Sequence, residues 1–200
     1  MKLRILAATA AIMIAAAISN PAKADLVTNG NFGTGDFAGW TLSGDTSFNG
    51  VSHVLAPPGE IGAPTGNAAF LGTSGSELDL SQTLSTIAGQ TYDLTFFRQA
   101  EAGTTAPDYF TTQVGGVTLG ALSVADVGGS DWQTFDAQFT ATGTSTLLNF
   151  AVSNDLGAFD LTNVSATAVP EPSALALMLV GVVGLVGYGI RRRGPSATLA

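Results

Sequence analysis

From residue 91 to residue 168 apolar and polar positions alternate with a period of two, the pattern of strands that pack one face and solvate the other. Phe135, Ala137 and Phe139 share one parity and Thr134, Asp136 and Gln138 the other. In the same way Leu148, Phe150 and Val152 oppose Leu147, Asn149 and Ala151. Tyr92, Leu94 and Phe96 oppose Asp93, Thr95 and Phe97, and Phe110, Thr112 and Val114 oppose Tyr109, Thr111 and Gln113. The first set of each pair is expected in the core. Runs rich in Thr, Phe, Val and Leu predict strands at Gly39–Ser43, Asn67–Leu71, Leu78–Leu84, Thr91–Phe97, Tyr109–Val114, Val117–Leu119, Trp132–Thr140, Thr146–Ser153 and Phe159–Ala168. Between Val114 and Val117 two glycines supply the positive φ values of a two-residue hairpin turn. No stretch between residues 25 and 168 carries a 3.6-residue apolar period, so this body is expected to be an all-β, antiparallel two-sheet sandwich.

The two ends follow another pattern. Lys2 and Arg4 precede a run from Ile5 to Ile18 in which Thr9 is the one polar residue, and Ala22-Lys23-Ala24 has the small-x-small form of a cleavage site. Residues 1–24 therefore read as an export signal helix cut after Ala24. The run is too short for a spanning helix, which needs about 20 residues. At the other end Ala174–Ile190 holds 17 uncharged residues closed by Arg191, Arg192 and Arg193. As a helix it crosses a thin bilayer once, and the arginines hold its end in the cytoplasm. The expected organisation is a signal at 1–24, a body at 25–168, a tail signal at 169–193 with its transmembrane helix at 174–190, and a short extension at 194–200. The body is thus expected outside the inner membrane.

Composition removes several chemistries. The chain has no cysteine and one histidine, His53, which excludes a disulfide framework, a thiol nucleophile and a His-rich metal cluster. No metal ligand set or cofactor motif stands out. Only 11% of residues are charged, and between residues 25 and 168 Arg98 is the sole base against 14 acids, a formal charge of about −13. A surface of that sign repels phosphate backbones and excludes nucleic-acid binding.

Val169-Pro170-Glu171-Pro172-Ser173, the Gly-rich apolar stretch with Leu185 and Gly189, and the three arginines together closely resemble the PEP-CTERM sorting domain of exported bacterial proteins. Pro170, Glu171 and Pro172 match that family's sorting motif, and Arg191, Arg192 and Arg193 its basic membrane stop. The resemblance implies recognition by exosortase, a membrane-embedded transpeptidase, with removal of the tail and release or attachment of the body at the cell surface. Physically, prolines on both sides of Glu171 bar a regular helix there and leave extended backbone open to an enzyme.

A second resemblance is spread along the body. Asn29-Gly30-Asn31-Phe32, Gly39-Trp40, Leu80–Leu84, Gly89–Tyr92, Trp132 with Phe135 and Phe139, and the closing Phe159–Val164 look like the galactose-binding-like jelly rolls of carbohydrate-binding modules. That family implies glycan binding and often one structural calcium held by a closing Ile-Asp-Asp-Val. Leu161-Thr162-Asn163-Val164 stands here instead, lacking both carboxylates, with Asp160 earlier in the strand.

Two function classes follow. One is a non-enzymatic surface or matrix protein binding exopolysaccharide; the other is a secreted glycan hydrolase using two carboxylates, with Glu60, Glu77 and Glu101 as candidates. If the strands named above share a sheet, Asp93, Thr95, Thr111, Gln113, Asp136, Gln138 and Asn149 form one polar surface for sugar hydroxyls, with Tyr109 or Trp132 as a stacking platform. A solvated sheet face requires such polar residues in any case. Trp40 reads as structural, and His53 as structural or solvent-facing.

Overall fold

A computed structural model describes residues 24–54, 64–101, 108–123, 131–154, 157–170 and 181–184. The body is built from β1 (Thr41–Gly44), β2 (Phe48–Val54), β3 (Gly66–Gly72), β4 (Leu78–Ser85), β5 (Thr91–Ala100), β6 (Tyr109–Val114), β7 (Val117–Ser123), β8 (Gln133–Thr140), β9 (Ser145–Ser153) and β10 (Phe159–Ala168). They pair antiparallel into two five-stranded sheets, β1-β4-β9-β6-β7 and β2-β3-β10-β5-β8. The all-β sandwich read from the alternation is the observed fold.

Most of the expected inward residues form the observed core, while Phe135 and Ala137 on the edge strand β8 are half-buried. Tyr92, Leu94 and Phe96 on β5, Phe110 and Val114 on β6 and Leu148, Phe150 and Val152 on β9 are all buried. Phe96 makes the centre, stacked on Phe135 at 4.5 Å and edge-on to Phe150 of the facing sheet at 5.1 Å. Such ring pairs add about 0.5–1.5 kcal/mol to the burial itself. Ala151 has outward parity and is nevertheless buried. Its register partners are Asp79 and Thr111, and a methyl group is short enough to be covered by them.

Chain entry is also packed. Before β1, Phe32 is fully buried and lies 5.8 Å from the Trp40 ring, whose Nε1 donates to the Asn29 carbonyl at 3.2 Å. Trp40 is therefore a core residue with its polar atom satisfied. The predicted Gly-Gly hairpin is present between β6 and β7, with φ of 58° at Gly115 and 80° at Gly116, values that a side chain would strain.

The sequence reading ends the strand from Thr91 at Phe97, whereas β5 runs on to Ala100, and it differs further at β2 and β7. It omitted β2, where Gly50, Ser52 and His53 interrupt the apolar pattern. This strand gains its place by pairing with β3 along seven residues, from Phe48↔Gly72 to Val54↔Gly66. It also ended the strand after the hairpin at Leu119, whereas β7 runs on to Ser123 beside β6, with an irregularity in register next to Thr112.

Compactness divides the chain into Lys23–Val169 and the two ends, Met1–Ala22 with Pro170–Ala200. Of the ends, helical residues 181–184 are described, and no helix among the described residues is long and apolar enough to cross a membrane. The expected signal helix up to residue 23, most of the 174–190 helix, Ala22, Glu171, Pro172 and Arg191–Arg193 lie outside the described residues. Ala24 and Pro170 are described, and both are exposed.

Candidate functional site

The nine candidate sugar contacts do not share a surface. Asp93 and Thr95 on β5, Asp136 and Gln138 on β8 and Trp132 just before β8 belong to the β2-containing sheet. Tyr109, Thr111 and Gln113 on β6 and Asn149 on β9 belong to the other sheet. Outward residues of two sheets packed face to face point in opposite directions, so the single polar surface resolves into two.

On the β1-containing sheet the polar groups are tied to one another. The Tyr109 hydroxyl donates to Glu77 at 2.7 Å, and its pKa is pushed up to about 12, chiefly by that bond and then by burial. Asn149 Nδ2 donates to Asp79 at 2.7 Å across the β4–β9 register. Thr111 and Gln113 stand in register with Ala151 and Asn149, making a flat face of small and amide side chains with one aromatic ring.

The outer face of the other sheet is more varied. At its lower part Gln138 donates to Asp93 at 2.8 Å, and Thr95 stands opposite Asp136. Toward the end where β10 begins, Asp160 is paired in register with Phe70 on β3 and Gln99 on β5. Extending the β5–β8 register by one residue places Trp132 opposite Gln99. Phe97 stands between Thr162 and Thr134 in the next row. Phe70, Phe97, Gln99 and Trp132 are all half-buried, while Asp160 is 7% exposed. Burial, and after it the charge of Glu101, push the Asp160 carboxyl from the ordinary 3.8 up to about 7.

Asp160, Phe70 and Gln99 were not among the sugar contacts expected from sequence. Asp160 is the one charge inside the closing strand, a position where polarity has to be answered by local structure. Of the hydrolase candidates, Glu77 bonds Tyr109, Glu101 faces toward the Asp160 end, and Glu60 lies outside the described residues. Arg98 points into the sandwich between Phe110 and Phe135, its guanidinium 5.7 and 5.5 Å from their ring centres. Burial lowers its pKa, and Nε and Nη1 have no hydrogen-bond partner. The only Lys or Arg of the body is thus withdrawn from the surface.

The closing segment Leu161–Val164 and the residues described beside it do not fit a calcium site. Leu161 and Val164 are buried, Thr162 Oγ1 donates to the Asn67 carbonyl at 2.6 Å, and Asn163 is exposed with φ 52°. The neighbouring hollow is lined by Asp25, Val27, Asn29, Gly30, Asn31, Asn163, Val164 and Ser165. Its one carboxylate, on Asp25, already accepts from the Val27 and Ala166 amides. Nearby, Thr34 Oγ1 and the Asp36 and Ala38 carbonyls converge on an amide nitrogen, Asn29 Nδ2, at 2.8, 3.1 and 3.1 Å. No group of three His, Cys, Asp or Glu able to hold a metal occurs among the described residues.

Residues 168–193 match the PEP-CTERM protein-sorting motif. The chain carries a PEP-CTERM sorting signal. No curated protein sequence matches the chain. Among solved structures, its fold is similar to the CBM22-1 xylan-binding domain of Paenibacillus barcinonensis Xyn10C, with TM-score 0.54 and 19% identity over 76% of this chain and 99% of that one. It is also similar to TmCBM61, solved with β-1,4-galactotriose, with TM-score 0.50 and 19% identity over 74% and 99% of the two chains. A third similarity, TM-score 0.54 and 18% identity, is to the enzymatically active domain of bacteriophage CBA120 tailspike protein 4; it covers 72% of this chain and only 21% of that one. These likenesses show the fold of the body alone, a two-sheet antiparallel β-sandwich shared with these carbohydrate-binding modules. The sorting motif marks it as exported.

Proposed function

We propose that this PEP-CTERM protein is an exported surface or matrix protein that binds glycan on the outer face of the β2-containing sheet, around Asp160. One observation carries the reading: a nearly buried carboxyl, in register with Phe70 and Gln99, shares the outer face of its sheet with the half-buried aromatic side chains Phe70, Phe97 and Trp132. Rings stack on the apolar faces of sugars, while carboxyl and amide groups meet their hydroxyls. Asp93, Thr95, Asp136 and Gln138 extend the same face along the strands. The xylan-binding and galactotriose-bound modules that share the fold support a polysaccharide ligand, here exopolysaccharide. At its tail the chain is a substrate for an exosortase-type membrane transpeptidase, with the inner membrane as its transient support.

Titration of the purified chain against neutral and acidic polysaccharides tests this. A shallow face gives a Kd of about 10 μM to 1 mM, or roughly 4–7 kcal/mol. Phe97→Ala and Trp132→Ala each weaken binding, while Tyr109→Ala and Gln113→Ala on the opposite face leave it unchanged; the reverse pattern moves the site to the other sheet. No binding to any glycan overturns the reading.

A second reading rests on the same carboxyl. A carboxyl whose pKa burial, and after it Glu101, raise to about 7 has the character of a glycoside hydrolase's general acid. Release of reducing ends from a bound polysaccharide, abolished by both Asp160→Asn and Glu101→Gln, distinguishes it from binding alone.

A further inference from the structure

The acids of the body are distributed unequally between its two ends. Four stretches of sequence, 80–92, 109–125, 137–154 and 161–170, contain no charged residue at all. Antiparallel pairing brings the β4–β5, β6–β7 and β8–β9 turns, which lie within the first three, to one end of the sandwich. The end of β10 arrives there as well, in register with the start of β5. At the other end stand Asp45, Glu77, Glu101, Asp108 and Asp131, all in the connections between strands.

The neutral end is a stitched platform. Gly89 N donates to the Ala141 carbonyl at 2.8 Å, Ala141 N to the Gln90 carbonyl at 3.0 Å, and Gly115 N to the Leu147 carbonyl at 2.8 Å. The last residue of the compact unit is tied in too: Val169 N donates to the Thr91 carbonyl, and Gln90 Nε2 to the Val169 carbonyl, both at 2.8 Å. Large exposed apolar side chains are Phe48, Ile87, Val117 and Leu147 among the described residues of the body, and three of these stand at or beside this end: Ile87 at 68%, Val117 at 62% and Leu147 at 49% exposure.

We infer that this end, whose turns carry no charge, is a bilayer-contact surface, which seats the body on the lipid headgroups while the tail is still attached. The inference rests on the reading that residues 174–190 span the membrane. Chain length then fixes which end faces the lipid. Val169 is held in the platform, and the five steps from it to Ala174 reach at most about 18 Å. A ten-residue strand such as β5 is about 30 Å long, so the acidic end stands beyond that reach.

Charge supports the same orientation. Anionic headgroups repel carboxylates within about a Debye length, and this body has no surface Lys or Arg to offset them. Turning the end with these uncharged turns downward keeps Asp45, Glu77, Glu101, Asp108 and Asp131 away from the headgroups. Ile87 and Val117 then bury apolar area at the headgroup boundary. Asp25 and Asp93 lie beside Thr167, one residue in from the end of β10.

The absence of native cysteine makes the test direct. Single-cysteine versions of the full chain, Ile87→Cys, Val117→Cys and, at the acidic end, Ser47→Cys, carry an environment-sensitive fluorophore in vesicles of phosphatidylcholine and phosphatidylglycerol. Flotation with the vesicles is measured first. Labels at 87 and 117 are expected to be quenched several-fold more by headgroup-level spin-labelled lipid than the label at 47, and several-fold less by aqueous acrylamide. Adding Val117→Asp to the Ile87→Cys chain is expected to return acrylamide access at 87. A chain that floats with all three labels equally open to acrylamide overturns the surface while leaving the span intact. Failure to float overturns the span and the surface with it. Protection of 87 and 117 only when exosortase is also in the vesicles assigns the surface to that enzyme and overturns contact with lipid.

Discussion

Replacing Asp160 by Asn isolates the electrostatic cost of one buried carboxyl. In the folded chain this carboxyl is 7% exposed and holds its proton up to about pH 7, against an ordinary value of 3.8. Between those values the folded state binds a proton that the unfolded state has released, so stability falls as pH rises through the window. Each unit is worth about 1.4 kcal/mol. The separation of roughly three units gives a loss of about 4 kcal/mol between the acid side of the window and the basic side. Other shifted groups act elsewhere. Asp36 and Asp45, held low mainly by hydrogen bonds from Thr34 and Ser74, lose their contribution only as pH falls below 3.8. Tyr109 acts above pH 10.

The slope from about pH 4 to pH 7 therefore reports Asp160. Asp160→Asn keeps the shape and removes the charge, so its stability is expected to be level across this range. Above the window the variant exceeds wild type by about 4 kcal/mol, or roughly 10 °C in Tm for a body of this size. Glu101→Gln removes the second cause and moves the wild-type midpoint toward acid. Circular dichroism melts at several pH values measure all three. A level wild-type curve, or an Asn variant with the wild-type slope, refutes the reasoning.

Two further outcomes are expected. Asn154 is fully buried, where its Oδ1 accepts from Thr73 N at 2.7 Å and its Nδ2 donates to the Leu71 carbonyl at 3.1 Å, clipping the end of one sheet to the other. Asn154→Ala leaves both groups unpaired and costs about 2–4 kcal/mol, read as a lower urea midpoint with an unchanged m-value. Glu171→Ala and Pro172→Ala lie beyond the compact unit and should leave the melting of the sandwich unchanged while precursor accumulates in the membrane fraction. Unchanged processing in both variants, followed by mass spectrometry of the mature C-terminus, argues for a plain anchor.

Local pattern was enough to establish which side chains of each strand face inward, because alternation at a period of two is a property of the extended backbone itself. Phe135, Phe139, Leu148, Phe150 and Phe110 were legible for that reason. So was the sorting signal, whose prolines, apolar stretch and arginines act through composition in a short span. Sheet membership was not legible. β6 and β9 join one sheet while β5 and β8 join the other, although all four have the same alternation. Which strand neighbours which is decided by contacts between segments far apart in sequence, such as β10 with β3, and no local pattern encodes it. That decision divided the expected polar surface in two and placed Asp160 among Phe70, Gln99 and Phe97. It also gathered the uncharged β4–β5, β6–β7 and β8–β9 turns at the end from which the tail departs. Charge along the chain is written in the sequence; the face on which it collects is set by how the strands pair.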